Sequence, residues 1–235
     1  MVIIPRFDLL NFERFQGHHE QLDRRTDPQK PFVPLSVELP AVHGQSEQQF
    51  DLDESFQLPH LGSFENQHNF ADVRVGWHEK GLLISVSITT KKQALWCRHS
   101  ELLDSDGLQF WIDTRDTHNV HRATKFCHWF VVLPASGPKD NKPLVSMLKI
   151  NRSRADSPTI NRSPVQATSK ITKTGYVLKA FVPGETLNGW DANEHRNIGF
   201  NYQIVDRELG QQTLAIGPQL PIQEDPSLWQ SLHLV

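Results

Sequence analysis

The chain has 235 residues, 37% of them hydrophobic and 22% charged, and carries a formal net charge of −3 with only two cysteines. That length suits one large all-β domain or two small ones. The slight negative charge argues against a general nucleic-acid binder, and two cysteines are too few for a disulfide framework. No window approaches the ~18 apolar residues of a membrane span, and Met1–Asp8 lacks both the basic and the apolar region of a secretory signal. The expected setting is therefore cytoplasmic, with Cys97 and Cys127 as free thiols, Cys127 buried and Cys97 the more accessible.

In chain order, residues 1–62 are rich in Gln, Glu, His and Pro, with apolar clusters only at Ile3-Ile4 and Phe32–Leu39. They read as an N-terminal extension, either partly ordered or adding edge strands. Residues 63–235 read as the folded domain. Val73, Val75 and Trp77 alternate with smaller or polar neighbours, His78–Gly81 is a turn, and Leu82–Ile88 returns as a second strand. Strands follow at Leu108–Asp113, Phe126–Leu133, Val145–Ile150, Ala167–Ile171, Tyr176–Val182, Ile198–Val205, Thr213–Ile216 and Leu232–Val235. No segment holds a helical apolar period for more than about two turns. Many short strands separated by turns give an all-β class, an antiparallel sandwich or barrel.

The segment Asp104–Thr117 carries the most chemistry. Leu108, Phe110 and Ile112 alternate with Gln109, Trp111 and Asp113. Neighbouring strand residues point to opposite faces, so one face is apolar and the other carries an amide, an indole and a carboxylate. Such groups hold a sugar or a metal ion. With Trp129 and Trp96, the residues Gln109, Trp111 and Asp113 form the candidate ligand-binding set. An ordinary strand with Trp111 half buried is the plainer alternative. Asp104, Asp106, Asp113 and Asp116 could supply oxygens to calcium, and His118 and His121 nitrogens to zinc. The plain alternative is a charged hairpin tip in which Asp113 and Asp116 pair with Arg115 or Arg122. No nucleophile elbow, P-loop or dinucleotide fingerprint occurs, which points away from an enzyme.

Five stretches in order carry a resemblance. They are Asp72–Val86, Asp106–Asp113 (Asp-Gly-Leu-Gln-Phe-Trp-Ile-Asp), Gly175–Pro183 (Gly-Tyr-Val-Leu-Lys-Ala-Phe-Val-Pro), Gly199–Asp206 (Gly-Phe-Asn-Tyr-Gln-Ile-Val-Asp) and Asp225–Leu234 (Asp-Pro-Ser-Leu-Trp-Gln-Ser-Leu-His-Leu). From about Asp72 onward the chain resembles the family 9 carbohydrate-binding modules and the related DOMON-like sandwiches. The resemblance implies a jelly-roll type β-sandwich, a non-catalytic role, a carbohydrate ligand and no cofactor beyond a structural calcium ion as an alternative. It implies neither nucleic acid nor membrane as a partner. Sugar-binding members hold a terminal sugar between two tryptophans; here Leu103 and Gln223 stand at those places, and Gln109 replaces a glutamate that bonds sugar hydroxyls. Two readings stay open: a carbohydrate-binding domain that uses the Gln109–Trp111–Asp113 face, and a structural or protein-interaction sandwich that has lost the sugar site.

Overall fold

The computed structural model describes the backbone of residues 37–39 and, in full, residues 51–59, 68–158, 165–214 and 220–234. The clusters at Ile3-Ile4 and Phe32, the domain boundary expected near residue 62, and the end of the strand expected at Thr213–Ile216 lie outside the described residues. Eleven strands occur among those described: β1 (Val37–Leu39), β2 (Ala71–His78), β3 (Gly81–Ile88), β4 (Gly107–Asp113), β5 (Cys127–Leu133), β6 (Leu144–Leu148), β7 (Gln166–Thr172), β8 (Gly175–Pro183), β9 (Asn197–Asp206), β10 (Gly210–Thr213) and β11 (Gln230–Leu234). One sheet runs β1-β11-β9-β4-β5-β6, with β10 also on β9, and the other runs β2-β3-β8-β7. Every pairing is antiparallel except β1 with β11, which is parallel. This is the expected all-β sandwich. Among the described residues no helix is long and apolar enough to cross a membrane.

Alternation sets the core. Leu108, Phe110 and Ile112 of β4 face inward beside Phe130 and Val132 of β5 and Phe200, Tyr202 and Ile204 of β9. Opposite them, in the second sheet, lie Val73, Val75 and Trp77 of β2, Leu82–Ile88 alternates of β3, and Tyr176, Leu178, Ala180 and Val182 of β8. The Phe110 and Phe130 rings stack at 5.1 Å between centroids.

The larger sheet departs from the half-solvated pattern of a simple sandwich. All seven residues of β4 and all seven of β5 are buried. Its outer face carries a second apolar cluster in which Trp111, Trp129, Val131 and Leu133 of the strands meet Cys97, Ala123, Ala135, Ile150 and Trp229 from connecting segments. The connections thus fold back over the outer face of β4 and β5, while the second sheet covers the inner one. Both cysteines are unpaired and equally buried, at 4% exposure, so Cys97 is not the more accessible one. Burial pushes both thiols up to about 12.

Candidate functional site

The face singled out from sequence is an interior surface. Trp111 sits opposite Trp129 in the β4–β5 register, the two rings stack at 5.6 Å, and Trp111 is 0% exposed. It therefore cannot present a ring face to a ligand, which corrects its expected role as a platform; Trp129 is buried with it. The cause is the second apolar cluster, whose connecting segments fill the space a sugar would need. Asp113 is also buried and accepts hydrogen bonds from the backbone N–H of Arg115 (3.0 Å) and Thr117 (2.8 Å). It shapes the turn after β4, and burial raises its pKa.

The turn beyond β4 holds two Ser/His/Asp groupings. His118 Nε2 lies 2.7 Å from Ser231 Oγ and 2.9 Å from Asp116, while the Ser231 hydroxyl donates to Asp116 at 2.7 Å. His121 Nδ1 lies 3.0 Å from Ser227 Oγ and 3.1 Å from Asp225, and the Ser227 hydroxyl donates to Asp225 at 2.7 Å. A proton relay needs serine on one imidazole nitrogen and carboxylate on the other. In each grouping both meet the same nitrogen, and the hydroxyl is spent on the carboxylate. These are cross-braces from the post-β4 segment, His118 to Ser231 of β11 and His121 to the turn at Asp225–Ser227 before it, not nucleophile systems.

The expected metal sets do not assemble. Among the described residues no three His, Cys, Asp or Glu side chains gather to hold an ion. Asp106 is fully buried on a lysine, Asp104 is exposed, Asp113 faces its own turn and Asp116 is bound to His118 and Ser231. His118 and His121 have different partners. The donors do not fit calcium or zinc. Nor does the hairpin tip pair its charges as expected, because Arg115 donates to the Gly189 carbonyl and lies over the Phe126 ring, and Arg122 donates to the Arg152 carbonyl.

An accessible cleft of about 690 Å³ lies instead at the β10 end of the same sheet. One wall comes from the segment before β4: Trp96, Arg98, Ser100, Glu101 and Asp104. The other is the end of β9 and its hairpin to β10: Val205, Asp206, Arg207, Gly210 and Gln211. Trp96 is half buried, with the Arg207 guanidinium 4.0 Å and that of Arg98 5.2 Å from its ring centroid. Arg98, Glu101, Asp104, Arg207 and Gln211 are exposed. The cleft thus offers one indole among donors and acceptors of both charges.

Behind it lies an ion triad. Lys91 Nζ contacts Asp106 at 3.0 Å and Asp206 at 2.5 Å, with side-chain exposures of 2%, 0% and 0%. Asp106 also accepts the backbone N–H groups of Trp96 and Arg207, each at 2.9 Å. Asp206 accepts those of Glu208 and Leu209, also at 2.9 Å each.

The positions that the resemblance assigns to two stacking rings converge beside this cleft. Gln109 Nε2 donates to the Leu103 carbonyl at 3.2 Å, Gln203 is the cross-strand partner of Gln109, and Gln223 Nε2 donates to Gln203 Oε1 at 3.3 Å. Gln203 in turn donates to Gln211 of the cleft at 3.0 Å. Of the expected ligand set, Trp96 lines the cleft, Gln109 lies buried beside it, and Trp111, Trp129 and Asp113 belong to the interior. Sequence reasoning missed Lys91, Arg207 and Gln211. Asp106 and Asp206 are terminal aspartates of two resemblance stretches, and Lys91, their shared partner, stands outside every one of those stretches.

No family model matches the chain, and no curated protein matches it at a significant level. Solved structures do. The chain is similar to a family 9 carbohydrate-binding module from Caldicellulosiruptor kristjanssonii in complex with cellotriose, at 12% identity over 85% of this chain and 93% of that one, with a TM-score of 0.59. It is similar to such a module from the same organism in complex with glucose, at 13% identity over 86% and 96%, with a TM-score of 0.54. A candidate carbohydrate-binding protein from Bacteroides uniformis aligns at 11% identity over 86% and 100%, with a TM-score of 0.54. At such identities the likeness shows the fold.

Proposed function

We propose that this chain is a non-catalytic carbohydrate-binding domain whose ligand enters the cleft between Trp96 and the β9–β10 hairpin. The observation that carries the reading is the lining itself: one half-buried indole surrounded by the exposed polar side chains Arg98, Glu101, Asp104, Arg207 and Gln211. A sugar needs an apolar surface for its C–H face and paired donors and acceptors for its hydroxyls, and few other ligands use both so evenly. The volume suits a small-molecule site. The similar modules bound to cellotriose and glucose support the assignment by fold alone.

A glycan array, followed by calorimetric titration with cellotriose and glucose, tests the reading. Trp96→Ala should weaken binding about tenfold or more, ~1.4 kcal/mol, with the melting temperature nearly unchanged because the ring is not in the core. A folded sample that binds no glycan, or a Trp96→Ala variant that binds equally well, overturns it. One observation favours the interaction-domain alternative. Leu103, at a place where sugar-binding relatives carry a stacking ring, is the one large hydrophobic residue exposed among those described, at 41%. Capture of a protein in place of a glycan would support that second reading.

A further inference from the structure

The two walls of the cleft come from segments more than a hundred residues apart, yet one buried carboxylate fixes both. Asp106 takes the Trp96 amide on Oδ2 and the Arg207 amide on Oδ1. These are the two residues whose side chains stack at 4.0 Å in the cleft. Asp206 turns the hairpin by accepting from Glu208 and Leu209, and the Glu208 carboxylate reaches back to the amides of Lys92 and Gln93 at 2.8–3.0 Å. Lys91 joins the two carboxylates.

The charges explain why this arrangement holds geometry more than it adds stability. Two buried carboxylates face one ammonium, and four backbone N–H groups donate to them. Such buried groups contribute little net stability compared with apolar packing, since desolvation cancels most of the attraction. What they do supply is a fixed mutual position. In the opposite sheet the buried Tyr176 phenol is pushed well above its ordinary range, first by burial and then by Asp206 and Asp106. With Lys91 gone, the two carboxylates would repel, and the walls they hold would separate.

We propose that Lys91, Asp106 and Asp206 are the positioning residues of the cleft: the triad sets Trp96 against Arg207 before a ligand arrives, and Lys91 acts on affinity without touching the ligand. The part concerning affinity rests on the carbohydrate reading above. The geometric part does not.

The test is amide hydrogen exchange by NMR on the full chain, with Lys91→Met, Lys91→Arg and the charge-removing Asp206→Asn. In Lys91→Met the amides of Trp96, Arg207, Glu208 and Leu209 should lose protection by about tenfold or more, while the β4–β5 amides keep theirs. Lys91→Arg should restore part of it. Should Lys91→Met not fold, Asp206→Asn keeps the side-chain volume and one acceptor, and should loosen the Glu208 and Leu209 amides selectively. Titration with cellotriose forms the second arm: affinity should fall about tenfold in Lys91→Met and recover partly in Lys91→Arg. Unchanged wall protection overturns the proposal. Lost protection with unchanged affinity supports the positioning of the walls and overturns the effect of Lys91 on affinity. If the unaltered protein binds no glycan, the carbohydrate reading falls, and the exchange arm alone decides whether the triad positions the walls.

Discussion

Trp111 is a packing residue: it is 0% exposed and its ring stacks on that of Trp129 at 5.6 Å. Its alternation with Phe110 and Ile112 does place it on the opposite side of β4 from the main core, beside Gln109 and Asp113. What alternation does not carry is whether that side meets water. Here Trp111 packs in one cluster with Trp129, Trp229, Ile150 and Cys97, whereas Trp96, outside any strand, is only half buried. Trp111→Ala should therefore cost roughly 3–5 kcal/mol of stability by emptying a large buried volume. The companion Trp96→Ala should cost well under 1 kcal/mol. Urea denaturation of the two variants side by side checks this; equal losses would mean that Trp111 is not packed as described. The buried Nε1 atoms of Trp111 and Trp129 meet no protein acceptor among the described residues, so this pair is held by ring area and stacking, while Trp229 Nε1 donates to the Ile222 carbonyl at 2.7 Å.

Strands were the most legible level. Nine segments expected from alternation and turn residues correspond to β2–β9 and β11, because a period of two is imposed directly by the pleat. The cleft was less legible because its parts come from β4's preceding segment and the β9–β10 hairpin, and nothing local in Thr-Thr-Lys-Lys-Gln marks Lys91 as a buried cation. The parallel pairing of Val37–Leu39 with β11 is likewise a long-range fact that three residues cannot announce. Glycines at element starts are the exception, where a local residue meets a strict backbone demand. Gly81 and Gly175 open β3 and β8 at φ +147° and +152°, and a Cβ at either would strike a neighbouring backbone carbonyl, that of Val182 or Ile88. Gly210 opens β10 at φ +96° with nothing within 4 Å of its Cβ position. Gly175→Ala should then combine strain with a backbone clash and cost ~3 kcal/mol or more, against about 1–2 kcal/mol of strain alone for Gly210→Ala. Thermal melts rank the two, and a Gly210 variant that melts lower than the Gly175 one would contradict the packing at the β3–β8 seam.

For the molecule as a whole, the largest response to acid expected between pH 7.5 and 4.5 comes from one imidazole buried at the start of β5. His128 of β5 is 1% exposed, its Nε2 accepts the Asn188 amide at 2.9 Å, and burial lowers its pKa from 6.5 to about 4. The unfolded chain takes up this proton near pH 6.5, whereas the native state does so only near 4. Between those values the unfolded state binds more protons, so stability falls as pH falls, by about 3 kcal/mol across the window. Two groups act with the opposite sign. The Asp116 carboxylate beside His118 raises that histidine above its ordinary value, a contribution complete below pH 6.5 and lost as pH rises through the folded pKa, and reduced by partial exposure. Burial raises Asp113, which adds stability only toward the acid end, below its folded pKa. His128→Gln removes the first effect and leaves the other two, and its amide oxygen can still accept from Asn188. Stability measured by denaturant titration from pH 7.5 to 4.5 should therefore drop more steeply for the unaltered chain than for His128→Gln. The two curves should converge on acidification by roughly 2–3 kcal/mol. Parallel curves would mean that His128 titrates alike in the folded and unfolded states, and that it is not sealed in the sheet.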